Sequence, residues 1–253
     1  MFRSLFVSTF FSVFFLNSSA QDAITLQEQG KDLDVLYRNE MTGGILAHSN
    51  GFGANFRRIR HMTGFKKRIW EFELVNMKHP KETKTTNPAF PNSKSFFYGK
   101  LNSVLVFRPG IGYQKIIYGK AERKSVQISY CCFLGASLAF AKPVYLEIVK
   151  RADLQGDFEL SEEKYDPLRD SLSNIYGRAP YFRGFDEMKI YPGAYAKFGL
   201  NFDYADLKND IKAIETGLTI DTYPTAVPIM GLVKNQQVYV CLYIHLLYGK
   251  KWF

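Results

Sequence analysis

Cysteine is scarce in this chain: three in 253 residues, two of them adjacent at Cys131 and Cys132 and the third at Cys241. That excludes a small disulfide-stapled fold. Histidine is nearly as sparse. His48, His61, His79 and His245 share neither a helix face nor an HxH spacing, so the sequence predicts no metal site and no cofactor. The phosphate-cradling GxxxxGK(S/T) and the nucleophile elbow GxSxG are both absent. Beyond the first twenty residues, no stretch has the ~20 consecutive apolar residues that a spanning helix requires. Acid is also short, with 24 Asp and Glu against 33 Lys and Arg and a net charge of +9. The basic residues are scattered among acidic ones, which points to solvated loops and interior charges rather than to nucleic acid; an exported chain of this charge meets anionic lipid, polysaccharide or acidic partners.

The first twenty residues, MFRSLFVSTFFSVFFLNSSA, combine a basic start at Arg3, an apolar run from Leu5 to Leu16 and a small-residue exit at Ser18-Ser19-Ala20. This predicts a signal peptide cleaved after Ala20. The run is too short to anchor as a helix, and the residue after the cleavage point is Gln21 rather than a lipid-bearing cysteine. Residues 21–40 are expected to be a periplasmic segment leading into a domain over 41–253.

What the chain does have is alternation. In VQISYCCFLGASLAF (126–140) the even positions Val126, Ile128, Tyr130, Cys132, Leu134, Ala136, Leu138 and Phe140 are apolar or aromatic, and the odd ones are mostly polar or small. A period of two is the signature of a strand with two unlike faces. In 237–248, Val238, Val240, Leu242, Ile244, Leu246 and Tyr248 stand opposite Gln237, Tyr239, Cys241, Tyr243 and His245. Similar patterns predict eight strands over roughly 41–49, 52–60, 65–79, 97–118, 125–149, 189–203, 210–223 and 236–250. Asn50-Gly51 is expected to turn the first hairpin, Arg108-Pro109-Gly110 to bend or bulge the fourth strand, and Gly249 to bulge the last so that Phe253 falls into phase.

The connectors sort by length. Short turns at 61–64, 120–125 and 204–210 fall on one side, and long loops at 80–96, 151–188 and 224–235 on the other, joined there by the tight Asn50-Gly51 hairpin. A soluble sandwich has no reason for that asymmetry, whereas a transmembrane barrel has short periplasmic turns, longer outer loops and an even strand number. The fold expected is therefore all-β, an eight-stranded antiparallel outer-membrane β-barrel. Its lipid-facing residues are expected to be Val126, Ile128, Tyr130, Leu134, Leu138 and Phe140 on one strand and Val238, Val240, Leu242, Ile244 and Leu246 on another, with Trp70, Tyr98, Tyr113, Tyr118 and Tyr248 in interfacial girdles.

On the stretches YRNEMTGGILAHSNGFGANFRRIRHMTGFKKRIWEFELVNMKHPKE (37–82), NSKSFFYGKLNSVLVFRPGIGYQK (92–115) and LAFAKPVYLEIV (138–149), with the GKKWF ending, the chain resembles the small outer-membrane β-barrel proteins of Bacteroidetes-type bacteria. The resemblance spans most of the chain beyond the leader and implies an outer-membrane location without implying a catalytic residue.

The candidate functional residues follow from phase and charge. Arg57, Arg58, Arg60, Lys66, Lys67 and Arg68 flank the turn at 61–64 and are expected at the periplasmic edge, in contact with lipid phosphates or an acidic partner or as interfacial anchors. Partners expected on these grounds are outer-membrane lipid, lipopolysaccharide and other outer-membrane or periplasmic proteins. His245 lies on the polar face, as do Ser129, Ser137, Glu71 and Glu73, which leaves a lipid hydrolase as the alternative to a non-enzymatic accessory subunit. Polar residues are needed there in any case to fill so narrow an interior, and a narrow channel is the third reading. The loop 151–188 and the loop 80–96 are the expected partner surface, with a short helix over DPLRDSLSNIYG beginning at Asp166.

Overall fold

The structure is a computed structural model that describes residues 37–90, 93–120, 125–151, 158–205 and 209–253. The expected signal peptide and most of the 21–40 segment lie outside the described residues. From Tyr37 to Phe253 the chain forms one unit, built from β1 (Asn39–His48), β2 (Gly51–His61), β3 (Lys66–Met77), β4 (Lys84–Thr85), β5 (Phe96–Phe97), β6 (Asn102–Tyr118), β7 (Gln127–Pro143), β8 (Tyr145–Arg151), β9 (Phe158–Lys164), β10 (Ile175–Arg178), β11 (Lys189–Asp203), β12 (Asp210–Thr222) and β13 (Val238–Trp252). Among the described residues there is no helix.

Eight of these strands close an antiparallel barrel in the order β1-β13-β12-β11-β7-β6-β3-β2. Closure is made by β1 against β13, from Asn39↔Trp252 to His48↔Tyr243. Beyond that seam the Tyr37 and Phe253 rings lie 5.3 Å apart. The alternation in the sequence becomes the two walls. Along β13 every even residue from Val238 to Leu246 is exposed and every odd one from Tyr239 to Leu247 is buried. Along β7 the odd residues from Ser129 to Pro143, apart from Gly135, are buried. Glycines make room for rings across the lumen: a Cβ at Gly112 would stand 2.2 Å from the Phe133 ring, and one at Gly110 2.1 Å from the Tyr195 hydroxyl oxygen.

Several expected details differ. The first hairpin turns on Ser49 and Asn50, because His48 pairs with Gly51, whose φ of +154° suits glycine. Pro109 does not bulge β6. Pairing with β3 runs through Glu73↔Arg108 and Phe72↔Pro109, and the β7 register is the same on both sides of the gap at 108–109. One missing N–H is tolerated without an inserted residue; the shift falls instead between Ile116 and Tyr118. Gly249 does not bulge β13 either, since it pairs in sequence with Thr42; Trp252 keeps the outward phase and Phe253 follows the strand. The run 125–149 divides at Val144. Its first part belongs to the barrel, and its second, β8, joins β9 and β10 in a separate three-stranded sheet. The expected helix at Asp166 is a single turn: Asp166 Oδ1 accepts from Leu168 N at 3.0 Å, its carbonyl accepts from Asp170 N at 2.8 Å, and by Ile175 the chain is strand again.

The outer loops pack into a cap. The β8-β9-β10 sheet has its own apolar core of Phe96, Leu146, Ile148, Tyr165 and Ile175. Asn87 Nδ2 ties the 78–101 loop to it, donating to Leu172 O and Ile175 O at 2.9 and 2.7 Å. The β12–β13 connector folds back into the barrel mouth, where Val227, Ile229 and Met230 are buried against Val75, Val104, Val106 and Tyr239. Tyr98, expected in a membrane girdle, instead packs against Tyr165 of this cap, because residues 98–101 lie beyond the start of β6.

Candidate functional site

The middle of the lumen is an ionic layer. Arg57 is clasped by Glu215, with Nη1 and Nη2 donating to the two carboxylate oxygens at 2.6 and 2.7 Å, while its Nε donates to Glu71 at 2.7 Å. Arg108 holds Asp221 in the same two-point manner at 2.8 and 2.6 Å and reaches Glu73 at 3.3 Å. Lys197 Nζ donates to Glu71 at 2.6 Å and also to Glu73. The Phe133 ring lies under both Lys197 and Arg57, at 4.4 and 4.8 Å. All seven charged side chains are at least 98% buried. Paired, bidentate geometry is what makes burial of charge tolerable. A second ionic group closes the periplasmic mouth, where Glu40 accepts from Lys67 at 2.9 and 3.0 Å and contacts His61 at 2.7 Å.

This geometry does not bring together the serine and histidine that the hydrolase alternative needs. His245 is buried beside Asn55, Arg57, Glu73 and Glu215. Neither serine is its partner: Ser129 Oγ accepts from Gln114, and Ser137 Oγ donates to Asp221 and contacts Tyr223. A nucleophile and its base must share a hydrogen bond, and these do not. Glu71, Glu73 and His245 bring ligand atoms within 4.8 Å of one another, but the Lys197 ammonium already bridges the two carboxylates and supplies the positive charge there. The arrangement is a structural bolt across the barrel, and it fills the interior that a channel would need open.

The basic clusters are split by the strand pleat. Arg57 and Lys67 point inward into the two ionic groups, so they are not contact residues. Arg58, Arg60, Lys66 and Arg68 point outward and are exposed. The outward wall above them carries the expected apolar residues: Val126, Leu134, Val238, Val240, Leu242, Ile244 and Leu246 are exposed, and Ile128, Tyr130, Leu138 and Phe140 are half-buried on the same face. Trp70, Tyr113, Tyr118 and Tyr248 also face outward.

In the cap, the aromatic cluster Tyr181, Phe182 and Phe185 is exposed, with centroids 5.8 to 6.2 Å apart, and Lys142 Nζ sits over two of its rings. Ion pairs surround it. Hydrogen bonds from Lys164 and Tyr145 hold the Glu187 carboxyl below the usual range, and that from Lys150 does the same for Glu163.

No protein-family profile matches the chain, and no curated protein does. Among solved structures, similarity is found to Ail, the attachment invasion locus protein of Yersinia pestis, in complex with the heparin analogue sucrose octasulfate, at 10% identity over 86% of this chain and 100% of that one, with a TM-score of 0.42. The structure of Ail alone gives 10% identity, the same coverage and a TM-score of 0.40. Neisserial surface protein A gives 10% identity over 85% of this chain and 95% of that one, with a TM-score of 0.37. The fold itself is decided by the barrel's own construction. A closed antiparallel sheet with short turns at one end, long loops at the other, an apolar outer wall and an ionic interior is an outer-membrane β-barrel.

Proposed function

We propose that this chain is a non-enzymatic outer-membrane barrel that serves as an accessory subunit of an outer-membrane protein assembly, engaging a partner through its outer cap. The wall formed by Val126, Ile128, Tyr130, Leu134, Leu138 and Phe140 on β7 and by Val238, Val240, Leu242, Ile244 and Leu246 on β13 faces lipid in this reading, with lipopolysaccharide around the outer end. The observation that carries the proposal is the contrast between a cap folded on its own core and the large apolar side chains it leaves uncovered. Phe182 is 83% exposed, Leu168 89% and Leu232 71%. The neighbouring Tyr181, Phe182 and Phe185 rings make an exposed apolar patch, and such a patch on an ordered loop is characteristic of a contact site.

The test is gentle detergent purification of a tagged chain from its native envelope, followed by sizing and mass spectrometry, with photocrosslinkers placed at Phe182 and Leu168. A stoichiometric protein partner crosslinked from those positions, and lost in a Tyr181→Asp/Phe182→Asp variant, supports the reading. A barrel that purifies alone, or a partner unaffected by the double variant, refutes it.

A further inference from the structure

Across β2 and β3 the periplasmic end of the outer wall carries positive charge with no counter-charge among the described residues. Arg38, Arg58, Arg60 and Arg68 are all exposed, and none forms an ion pair among the described residues. The strand registers align them in rows. Asn39, Arg60, Arg68 and Tyr113 stand side by side across β1, β2, β3 and β6. The next row up is Met41, Arg58, Trp70 and Ile111, and the next Gly43, Phe56, Phe72 and Pro109. Successive rows are about 6.6 Å apart along the strand. Over two such steps the wall passes from charged, through mixed, to wholly apolar.

Arg60 and Arg68 are direct cross-strand neighbours, a placement in which like charges repel. Elsewhere on the same rim the chemistry is ordinary: Lys250 stands opposite Asp210. Between the arginines and the aromatics the wall is hollowed into a groove of about 730 Å³ lined by Arg38, Arg58, Arg60, Phe56, Trp70 and Phe72. A second hollow of about 490 Å³ shares Arg38, Arg60 and Trp70 with it and adds Arg68.

We propose that this face is a binding site for an anionic phospholipid of the periplasmic leaflet, with the headgroup phosphate between Arg58, Arg60 and Arg68 and the acyl chains lying along Phe56, Trp70 and Phe72. Guanidinium forks match a phosphate's oxygens. An anion placed there relieves the Arg60–Arg68 repulsion, and the polarity order of the rows is that of an amphiphile, which a soluble phosphate or an acidic protein does not reproduce. The site rests on the membrane-spanning reading and gives it a specific lipid.

The experiment is native mass spectrometry of the full mature chain released from micelles supplied with phosphatidylglycerol, phosphatidylcholine or soluble glycerol phosphate. The variants are Arg58→Gln/Arg60→Gln/Arg68→Gln, and Lys212→Gln on the far side of the wall as a control. Heat-modifiable gel mobility verifies a folded barrel for each. The expected result is retention of phosphatidylglycerol by the wild type and the control, and about a tenfold or greater loss in the triple variant. Equal retention by the triple variant, indifference to headgroup charge, or retention of glycerol phosphate in place of the lipid overturns the site. Phosphatidylglycerol retained only after deletion of residues 21–36 also overturns it, by showing that this acidic segment is the occupant. A wild type without heat-modifiable mobility refutes the barrel reading instead, and so is a distinguishable failure.

Discussion

Arg57 and Arg58 are consecutive residues on one strand with opposite surroundings. Arg57 is enclosed by Glu71 and Glu215 inside the barrel, whereas Arg58 stands on the outer wall with no carboxylate partner among the described residues. The difference teaches that in this barrel charge is assigned by the pleat and not by the local sequence. An inward arginine is bound to fixed acids, for Arg57 one on the neighbouring strand and one on a strand distant in the chain. An outward one is left for whatever the membrane supplies.

The sharpest way to break the comparison is to remove each arginine in turn. Arg57→Met leaves the buried Glu215 without its arginine and Glu71 with Lys197 alone, and is expected to cost about 3–5 kcal/mol. Arg58→Met, measured in detergent free of anionic phospholipid, is expected to change stability by no more than about 0.5 kcal/mol. Denaturant unfolding of the two variants in the same micelle measures both, and comparable losses would erase the distinction between the walls.

A smaller effect sharpens it. Arg60→Glu places a carboxylate directly opposite Arg68 and is expected to stabilise the barrel by about 0.2–1 kcal/mol in lipid-poor detergent, while abolishing phosphatidylglycerol retention. A destabilised Arg60→Glu would mean that the rim arginines are already neutralised within the chain.

The smallest effect concerns charges that sit in neither wall. Glu163 and Glu187 in the cap have carboxyls held below their ordinary range by Lys150, Lys164 and Tyr145. A depressed folded value contributes stability above the unfolded carboxylate range and loses it as pH falls through the folded one. Glu187→Gln is therefore expected to loosen amide-exchange protection of β8 and β9 slightly at neutral pH. At pH well below the carboxylate range, variant and wild type should coincide. A difference that persists in acid would assign the effect to packing.

How much of this was legible beforehand follows from what is local. Strand phase is local, so the inward Glu71, Glu73 and His245 and the outward Val238 to Leu246 can be read from alternation alone, and β11 is predicted to the residue. Ladder partners are not local. The exit from the barrel at Val144 is marked in 125–149 by Lys142, which breaks the apolar even series, and by Pro143, which cannot donate to a ladder; taking the run as one strand passes over both, and neither says which strand β8 joins. The lumen bolt joins Arg57 to Glu215 and Arg108 to Asp221 across the barrel, and no spacing rule connects them. The basic cluster is a different case: reading Arg57 to Arg60 and Lys66 to Arg68 as blocks ignores the period of two, which by itself assigns Arg57 and Lys67 to the interior. Arg38 was missed because it precedes the first recognisable strand.

The seam between β1 and β13 ties the first strand to the last. The barrel therefore cannot be finished while the chain is still being delivered: the sheet can grow strand by strand, but its closing ladder waits for the final residues. Until then two unpaired strands face outward, each able to recruit a stranger. The dangerous interval in this protein's life is its arrival, and loss of even its terminal strand would extend that interval indefinitely.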